Sequence, residues 1–314
     1  LTPLDPWIAG KIGQHGRRAS RAAIDAYQLG KLRETLHLAN TSSAFYRERL
    51  AAAPLDLVAL TDFCHFPFTT AEDIRERPLK FVCVSQGESH RGVTLSSSGT
   101  TGRPKRLYFT GEDQELTLDF FHVGMSTLVG PGDRVLILLP VETPGGVGDL
   151  LATALGRLGA TSVRHGLVRD LVETLDVMVR ERVNSLVGVP SQVLALARYR
   201  DESGRRVPVK LKSALLTTDH VPPAIVAAVE AAWGCTVYNH YGMTEMGLGG
   251  GVECQARRGY HLREADLYSE IVDPETGQPL PEGEEGEVVF TTLTRRGMPL
   301  IRYRLGDRAR LSAE

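Results

Sequence analysis

The feature that most constrains this chain is the regular alternation between residues 134 and 239. Strand-like runs at 134–139, 160–164, 184–189, 211–217 and 235–239 take turns with helix-like stretches at 147–158, 168–181, 191–199 and 221–233. Connections of that length suit right-handed crossovers between parallel strands rather than hairpins. Runs such as V-L-I-L-L at 135–139 are apolar at consecutive positions, as expected of strands buried on both faces. The predicted fold class is therefore α/β: a doubly wound, mostly parallel sheet with helices on both faces. Ligands of such sheets bind beyond the carboxyl ends of the strands, so chemistry is sought in the segments that follow each run.

The flanks read differently. Between residues 20 and 50, Ile24, Tyr27, Leu32, Leu36 and Ala39 recur near helical spacing, which predicts one long amphipathic helix. An irregular stretch through Pro54, Pro67 and Pro78 leads to a strand before the polar segment 96–105. Past residue 252, strands at 267–272 and 287–293 flank a turn-rich stretch, predicting a small β-rich subdomain. The expected organisation is 1–90, a helical and irregular segment packed on the main body; 91–250, an α/β core; and 251–314, the β-rich subdomain.

Charge narrows the partners. Lys plus Arg total 36 against 38 Asp plus Glu, a net charge of -2, so bulk electrostatics favours neither nucleic acid nor an anionic membrane. The apolar run at 135–140 falls far short of the ~18 residues of a membrane span, and a cytoplasmic location is expected. The four cysteines, Cys64, Cys83, Cys235 and Cys254, form no C-x-x-C pair and read as reduced thiols.

Three segments carry chemistry. Ser97, Ser98, Gly99, Thr100, Thr101 and Gly102, followed by Lys105, combine glycine freedom with hydroxyls and backbone N–H groups that can cradle phosphate oxygens. The segment lacks the G-x-x-x-x-G-K-[ST] pattern, and alone it also reads as an exposed turn. Tyr241, Gly242, Met243, Thr244 and Glu245 follow the last strand of the series; there a Thr hydroxyl can meet a phosphate and a carboxylate can hold Mg²⁺. The run P-L-I-R-Y-R-L-G-D at 299–307 reads as an apolar strand ending in Gly-Asp, where Asp307 can accept two ribose hydroxyls or simply end a turn. Pro144, Gly145 and Gly146 suit either a strand-to-helix turn or a pocket wall. Cys235, His240, Cys254 and His261 are zinc-type ligands, but their spacing matches no zinc pattern. Buried thiols and a substrate-lining His240 are favoured over a structural zinc.

In this order and on this layout, the three segments resemble the adenylate-forming superfamily of acyl-CoA ligases, adenylation domains and luciferases. The chain looks most like the phenylacetate-CoA ligase branch. E-C-Q at 253–255, G-Y-H at 259–261 and E-I-V-D-P-E-T-G-Q-P-L-P-E-G-E-E-G-E-V-V-F-T-T-L at 270–293 carry that likeness, with 299–307 completing it. The resemblance implies that residues 97–101 wrap the triphosphate of ATP, Thr244 contacts the α-phosphate, Glu245 binds Mg²⁺ and Asp307 holds the ribose. Adenine would lie against Thr217, Thr218 and Asp219, which stand where the family often has Gly-Glu-Pro, with Tyr241 and Gly242 as neighbours. Lys105 would serve on the loop side. The acid pocket would involve Pro144, Gly145, Gly146, Val189, Pro190, Asn239 and His240. Residues 141–148 lack the aromatic side chain common in phenylacetate ligases, and their glycines predict an open floor that admits a bulkier acid.

The chemistry implied is attack of a carboxylate on the α-phosphorus of ATP, giving acyl-AMP, then thioester formation with CoA. Family members continue beyond the Gly-Asp segment into a small domain with a catalytic Lys and much of the CoA surface, so the chain is expected to be the large domain alone. Two rival readings stay open: an adenylation domain loading a carrier protein, and a nucleotide-binding module without turnover. The partner expected is a small carboxylic acid, and a homodimer is left open.

Overall fold

The alternating run folds as its pattern demands. The computed structural model describes residues 2–95, 104–202 and 208–312. In chain order the first elements are α1 (Leu4–Lys11), α2 (Arg21–Ser42), α3 (Ala44–Arg49), α4 (Ala71–Glu76), β1 (Ser89–Leu95), β2 (Lys105–Thr110) and α5 (Gly111–Met125). The alternating series comprises β3 (Arg134–Leu138), α6 (Val147–Arg157), β4 (Thr161–Arg164), α7 (Leu171–Arg180), β5 (Ser185–Gly188), α8 (Pro190–Glu202), β6 (Ser213–Leu216), α9 (Pro223–Trp233) and β7 (Thr236–Tyr241). Last come β8 (Gly251–Glu253), β9 (Tyr260–Leu262), β10 (Leu267–Val272), β11 (Gly286–Thr292) and β12 (Tyr303–Ala309).

Contacts divide the chain into two compact units. One holds residues 114–263 with the first residues up to Trp7; the other holds residues 8–113 with the chain from Glu264 onward. The expected segments 1–90, 91–250 and 251–314 cut the chain differently, because that reading assumed units contiguous in sequence. In the second unit the early helices meet the late strands: Thr35 Oγ1 of α2 donates to the Leu293 carbonyl at 3.1 Å, and Gln28 Nε2 donates to the Glu264 carbonyl at 2.9 Å.

In the first unit the sheet runs β4-β3-β5-β6-β7-β8-β9, with β3 to β7 parallel and β7-β8-β9 antiparallel. The central strands are buried on both sides. Leu136, Leu138, Leu186, Leu216 and Val237 pack with Met178 of α7, Leu196 of α8 and Trp233 of α9 in one cluster, while Val135, Ile137, Val187 and Leu215 are buried as well. The strand order reverses at β3, since β4 lies on one side of it and β5 on the other. Right-handed crossovers in opposite directions put α6 and α7 on opposite faces, and the loops after β3 and β5 part there. That crevice lies beside residues 140–146 and 189–190.

The second unit contains the antiparallel pair β1-β2 and the antiparallel sheet β10-β11-β12. Three expectations change. The helix expected over 20–50 is two helices, because Ser43 is extended (φ -93, ψ 121) and serves both: its N–H donates to the Ala39 carbonyl and its hydroxyl accepts from Tyr46 N–H at 3.2 Å. Helix α5 was not foreseen. Its signal was the T-x-x-D spacing of Thr110 and Asp113, whose side chains cap each other's backbone N–H groups at 2.9 and 3.0 Å. Asp307 lies inside β12, exposed, rather than at a turn after an apolar strand.

Candidate active site

The carboxyl ends of β6 and β7 gather most of the predicted site residues of the first unit. Thr217 extends β6, its N–H donating to the Gly188 carbonyl at 3.1 Å. Its hydroxyl meets His240 Nδ1 of β7 at 2.9 Å. Thr218 follows at φ 75, a costly conformation for a β-branched residue, of a kind that clusters at ligand sites. Asp219 turns back to cap His220 N–H at 2.7 Å.

His240 is held by more than Thr217. Phe120 and Phe121 of α5 approach its ring at centroid distances of 6.2 Å each. Burial lowers its pKa to about 4, so the imidazole is neutral at neutral pH. Its Nε2 is sealed from solvent and has no hydrogen-bond partner; the same is true of Asn239 Oδ1 one residue before. Native interiors rarely leave such atoms unmet.

After β7 the chain makes a tight turn that carries the Thr and the Glu. Gly242 is required there, since a Cβ would sit 2.8 Å from the Leu248 carbonyl and from Gly249 Cα. Residues Thr244–Met246 form one 3-10 turn that ends in left-handed Gly247 at φ 74. Backbone bonds from Leu248 N–H to the Met243 carbonyl (2.8 Å) and from Gly250 N–H to the Tyr241 carbonyl (2.9 Å) close it. Thr117 Oγ1 of α5 donates to the Gly247 carbonyl at 2.8 Å. Arg263 ties the far end to α5, through Nη2 to the Leu116 carbonyl at 2.6 Å. Thr244 is partly exposed and Glu245 is buried at 4 % exposure. The Tyr241 ring leans on Tyr260 at 5.7 Å.

The switch-point loops begin with a close approach to α6. Gly145 (φ 65) donates its N–H to Asp149 Oδ2 at 2.7 Å, and Pro144 is exposed. At Gly148 a Cβ would lie 2.6 Å from the Pro140 carbonyl and from Val141 Cγ1. That glycine lets α6 start against residues 140–141, so at Gly148 the missing side chain serves a close approach rather than an opening. Pro190 is buried and Val189 half-buried at the start of α8. Phe120 and Phe121 are the aromatic surface that sequence reasoning missed, because α5 itself was missed.

In the second unit Lys105 Nζ donates to Tyr303 Oη at 3.4 Å and lies 6.0 Å from that ring centroid. The predicted phosphate-segment residues Ser97, Ser98, Gly99, Thr100, Thr101 and Gly102 lie outside the described residues. Cys235, His240, Cys254 and His261 form no metal-holding group; among the described residues no cluster of three or more His, Cys, Asp or Glu could hold an ion. Burial instead pushes the Cys235 thiol up to about 11, keeping it protonated.

The comparisons with known proteins decide the family. The model of the family "AMP-binding enzyme" matches residues 87–293. This chain belongs to that family. The matched stretch of this AMP-binding enzyme takes in the Ser/Thr/Gly segment, Thr217 to Asp219 and the turn after β7. Curated relatives include the phenylacetate-coenzyme A ligase of Pseudomonas putida, 32% identical over 305 residues covering 93% of this chain and 68% of that one. The phenylacetate-coenzyme A ligase of Escherichia coli (strain K12) is 31% identical, covering 99% of this chain and 70% of that one. Among solved structures, the open conformation of 2-hydroxyisobutyryl-CoA ligase in complex with 2-HIB-AMP and CoA has the same fold. Its TM-score is 0.81 at 23% identity, covering 92% of this chain and 70% of that one.

Proposed function

We propose that this enzyme activates an aryl carboxylic acid with ATP, forming acyl-AMP and pyrophosphate ahead of thioester formation with CoA. The observation that carries the reading is the turn after β7, which holds Thr244 and Glu245 at the carboxyl edge of the sheet. A carboxylate oxygen of the acid attacks the α-phosphorus in line, and pyrophosphate leaves. This chemistry asks the protein to position reactants and to spread charge, with no covalent nucleophile. Thr244 offers its hydroxyl to the α-phosphate. Mg²⁺ fits the donor set at this turn, because it takes one or two carboxylates with substrate phosphates rather than a protein cage, and Glu245 is the carboxylate there. When bound it would neutralise phosphate charge.

His240, kept neutral and flanked by Phe120 and Phe121, would line the acid's ring, together with Gly146, Val189 and Pro190 across the switch point. Relatives named for phenylacetate favour an arylacetic acid and CoA over a carrier protein. The roles of residues 97–102 and Lys105 at the triphosphate, and of Asp307 at the ribose, rest on the motifs alone. No helix among the described residues is long and apolar enough to cross a membrane.

Calorimetric titration with Mg·ATP tests the reading, alongside mass-spectrometric detection of acyl-AMP from a panel of arylacetic and branched acids. Thr244→Val and Glu245→Gln should each weaken nucleotide binding or adenylate yield by about tenfold or more, while melting temperature reports folding. Unaltered titrations and yields in both variants would reject the assignment.

A further inference from the structure

Arg263, directly after β9, is a cation that the chemistry proposed above does not use, and only 2 % of it is exposed. Its backbone N–H donates to the Gly250 carbonyl at 2.9 Å, at the exit of the turn that carries Thr244 and Glu245. Its Nη2 donates to the Leu116 carbonyl of α5 at 2.6 Å. The guanidinium lies 5.2 Å from the ring centroid of Phe120, one helical turn further along α5. Its Nη1 stands 3.9 Å from the place a Cβ would take at Gly247, the residue that ends the 3-10 turn. Thr117, buried on α5, reaches the same glycine through its hydroxyl, which donates to the Gly247 carbonyl at 2.8 Å. Phe120 completes the contact, since a Cβ at Gly249 would collide with its ring. Leu116, Thr117 and Phe120 recur at helical spacing, so one stripe of α5 meets this part of the turn.

We propose that Arg263 and Thr117 are positioning residues: from outside the turn they fix where Thr244 and Glu245 stand relative to α5, without touching the nucleotide. The inference rests on the nucleotide reading above and deepens it. The turn's own hydrogen bonds, from Leu248 to Met243 and from Gly250 to Tyr241, set its shape but not its place. Residues 247–251 read G-L-G-G-G, so four of the five have no side chain with which to grip a neighbour. The grip has to come from groups that reach in. Apolar packing alone is non-directional and lets such a backbone slide, whereas a hydroxyl on a carbonyl and a planar guanidinium held by a carbonyl and an aromatic face fix direction as well as distance. A shift of about 1 Å in groups that meet a phosphate and its metal is enough to lose most of their effect.

Calorimetric titration with Mg·ATP and with adenosine separates positioning from folding, because adenosine brings no phosphate for Thr244 and no metal for Glu245. Arg263→Met keeps the bulk and drops the directed contacts. It should weaken Mg·ATP binding by about tenfold or more and leave adenosine within about threefold of the wild type. Thr117→Val removes one hydrogen bond with little change of shape, and should act in the same direction by about threefold or more. The double variant should lose less than the product of the two, since both groups act on one turn. If Arg263→Met does not fold, Thr117→Val decides alone. Folded variants that weaken both ligands alike, with a lower melting temperature, would reveal general structural support and overturn the proposal. So would Mg·ATP affinity equal to that of the wild type. Failure of the wild type to bind Mg·ATP would instead overturn the nucleotide reading, and this inference with it.

Discussion

At the residue scale, the end of β7 combines a neutral buried histidine with two unmet polar atoms, Asn239 Oδ1 and His240 Nε2. His240 keeps a folded pKa of about 4 against an ordinary value of 6.5, because burial opposes its charge. A histidine depressed in this way leaves stability intact above the unfolded pKa and removes it as the pH falls toward the folded one, since the unfolded chain takes the proton first. Between pH 7 and pH 5 the loss from this group should be at most about 2 kcal/mol. Urea midpoints at the two pH values should therefore draw closer in His240→Leu than in the wild type. An equal acid loss in both proteins would assign the effect to other groups.

At the scale of elements, the turn of residues 242–250 is closely packed, and at Gly242 the close neighbours are backbone atoms. Gly242→Ala puts a Cβ against the Leu248 carbonyl and Gly249 Cα at 2.8 Å, and neither can swing away. The variant should lose about 1–3 kcal/mol and weaken Mg·ATP binding by tenfold or more, because Thr244 and Glu245 ride on the displaced turn. Gly156→Ala is the control. Nothing lies within 4 Å of its Cβ position in α6, so it should bind ATP normally and gain about 0.5–1 kcal/mol in thermal unfolding. Equal ATP affinity in the two variants would show that the turn geometry is irrelevant to the nucleotide.

At the scale of the whole molecule, each unit is held by its own interior, and in the second unit part of that interior is ionic. Arg302, 1 % exposed, pairs with Glu270 through Nε (3.1 Å) and Nη2 (2.9 Å). Its Nη1 reaches the carbonyls of Cys64 and Phe66. These contacts tie β10 to the irregular segment near residue 65, across more than 200 positions of sequence. Removing one partner leaves a buried charge, so Arg302→Met should cost about 3–5 kcal/mol in chemical denaturation. Adding Glu270→Leu should return most of it; a double variant as unstable as the single one would show that the carbonyl contacts dominate.

The alternation of residues 134–239, read with the burial of V-L-I-L-L and the direction of crossovers, was enough to determine a parallel sheet. Those are local and periodic signals, and they survive without neighbours. Motif order likewise pointed to the family through residues 96–105, 241–245 and 299–307, with 270–293 supporting the branch. What the tertiary structure alone decided depends on partners distant in sequence or on atomic clearance. The helices before residue 50 belong with strands after residue 264, which no contiguous reading supplies. Arg302 and Glu270, read in sequence only as carriers of a likeness, are a buried pair. Gly148 proved to be a close approach to Pro140 rather than an opening, and Phe120 and Phe121 came to His240 on a helix whose only herald was a Thr-Asp cap. The Glu253 carboxylate meets the Asn239 N–H only because β8 folds back beside β7, and a hydrogen bond across strands exists in the register and not in the letters.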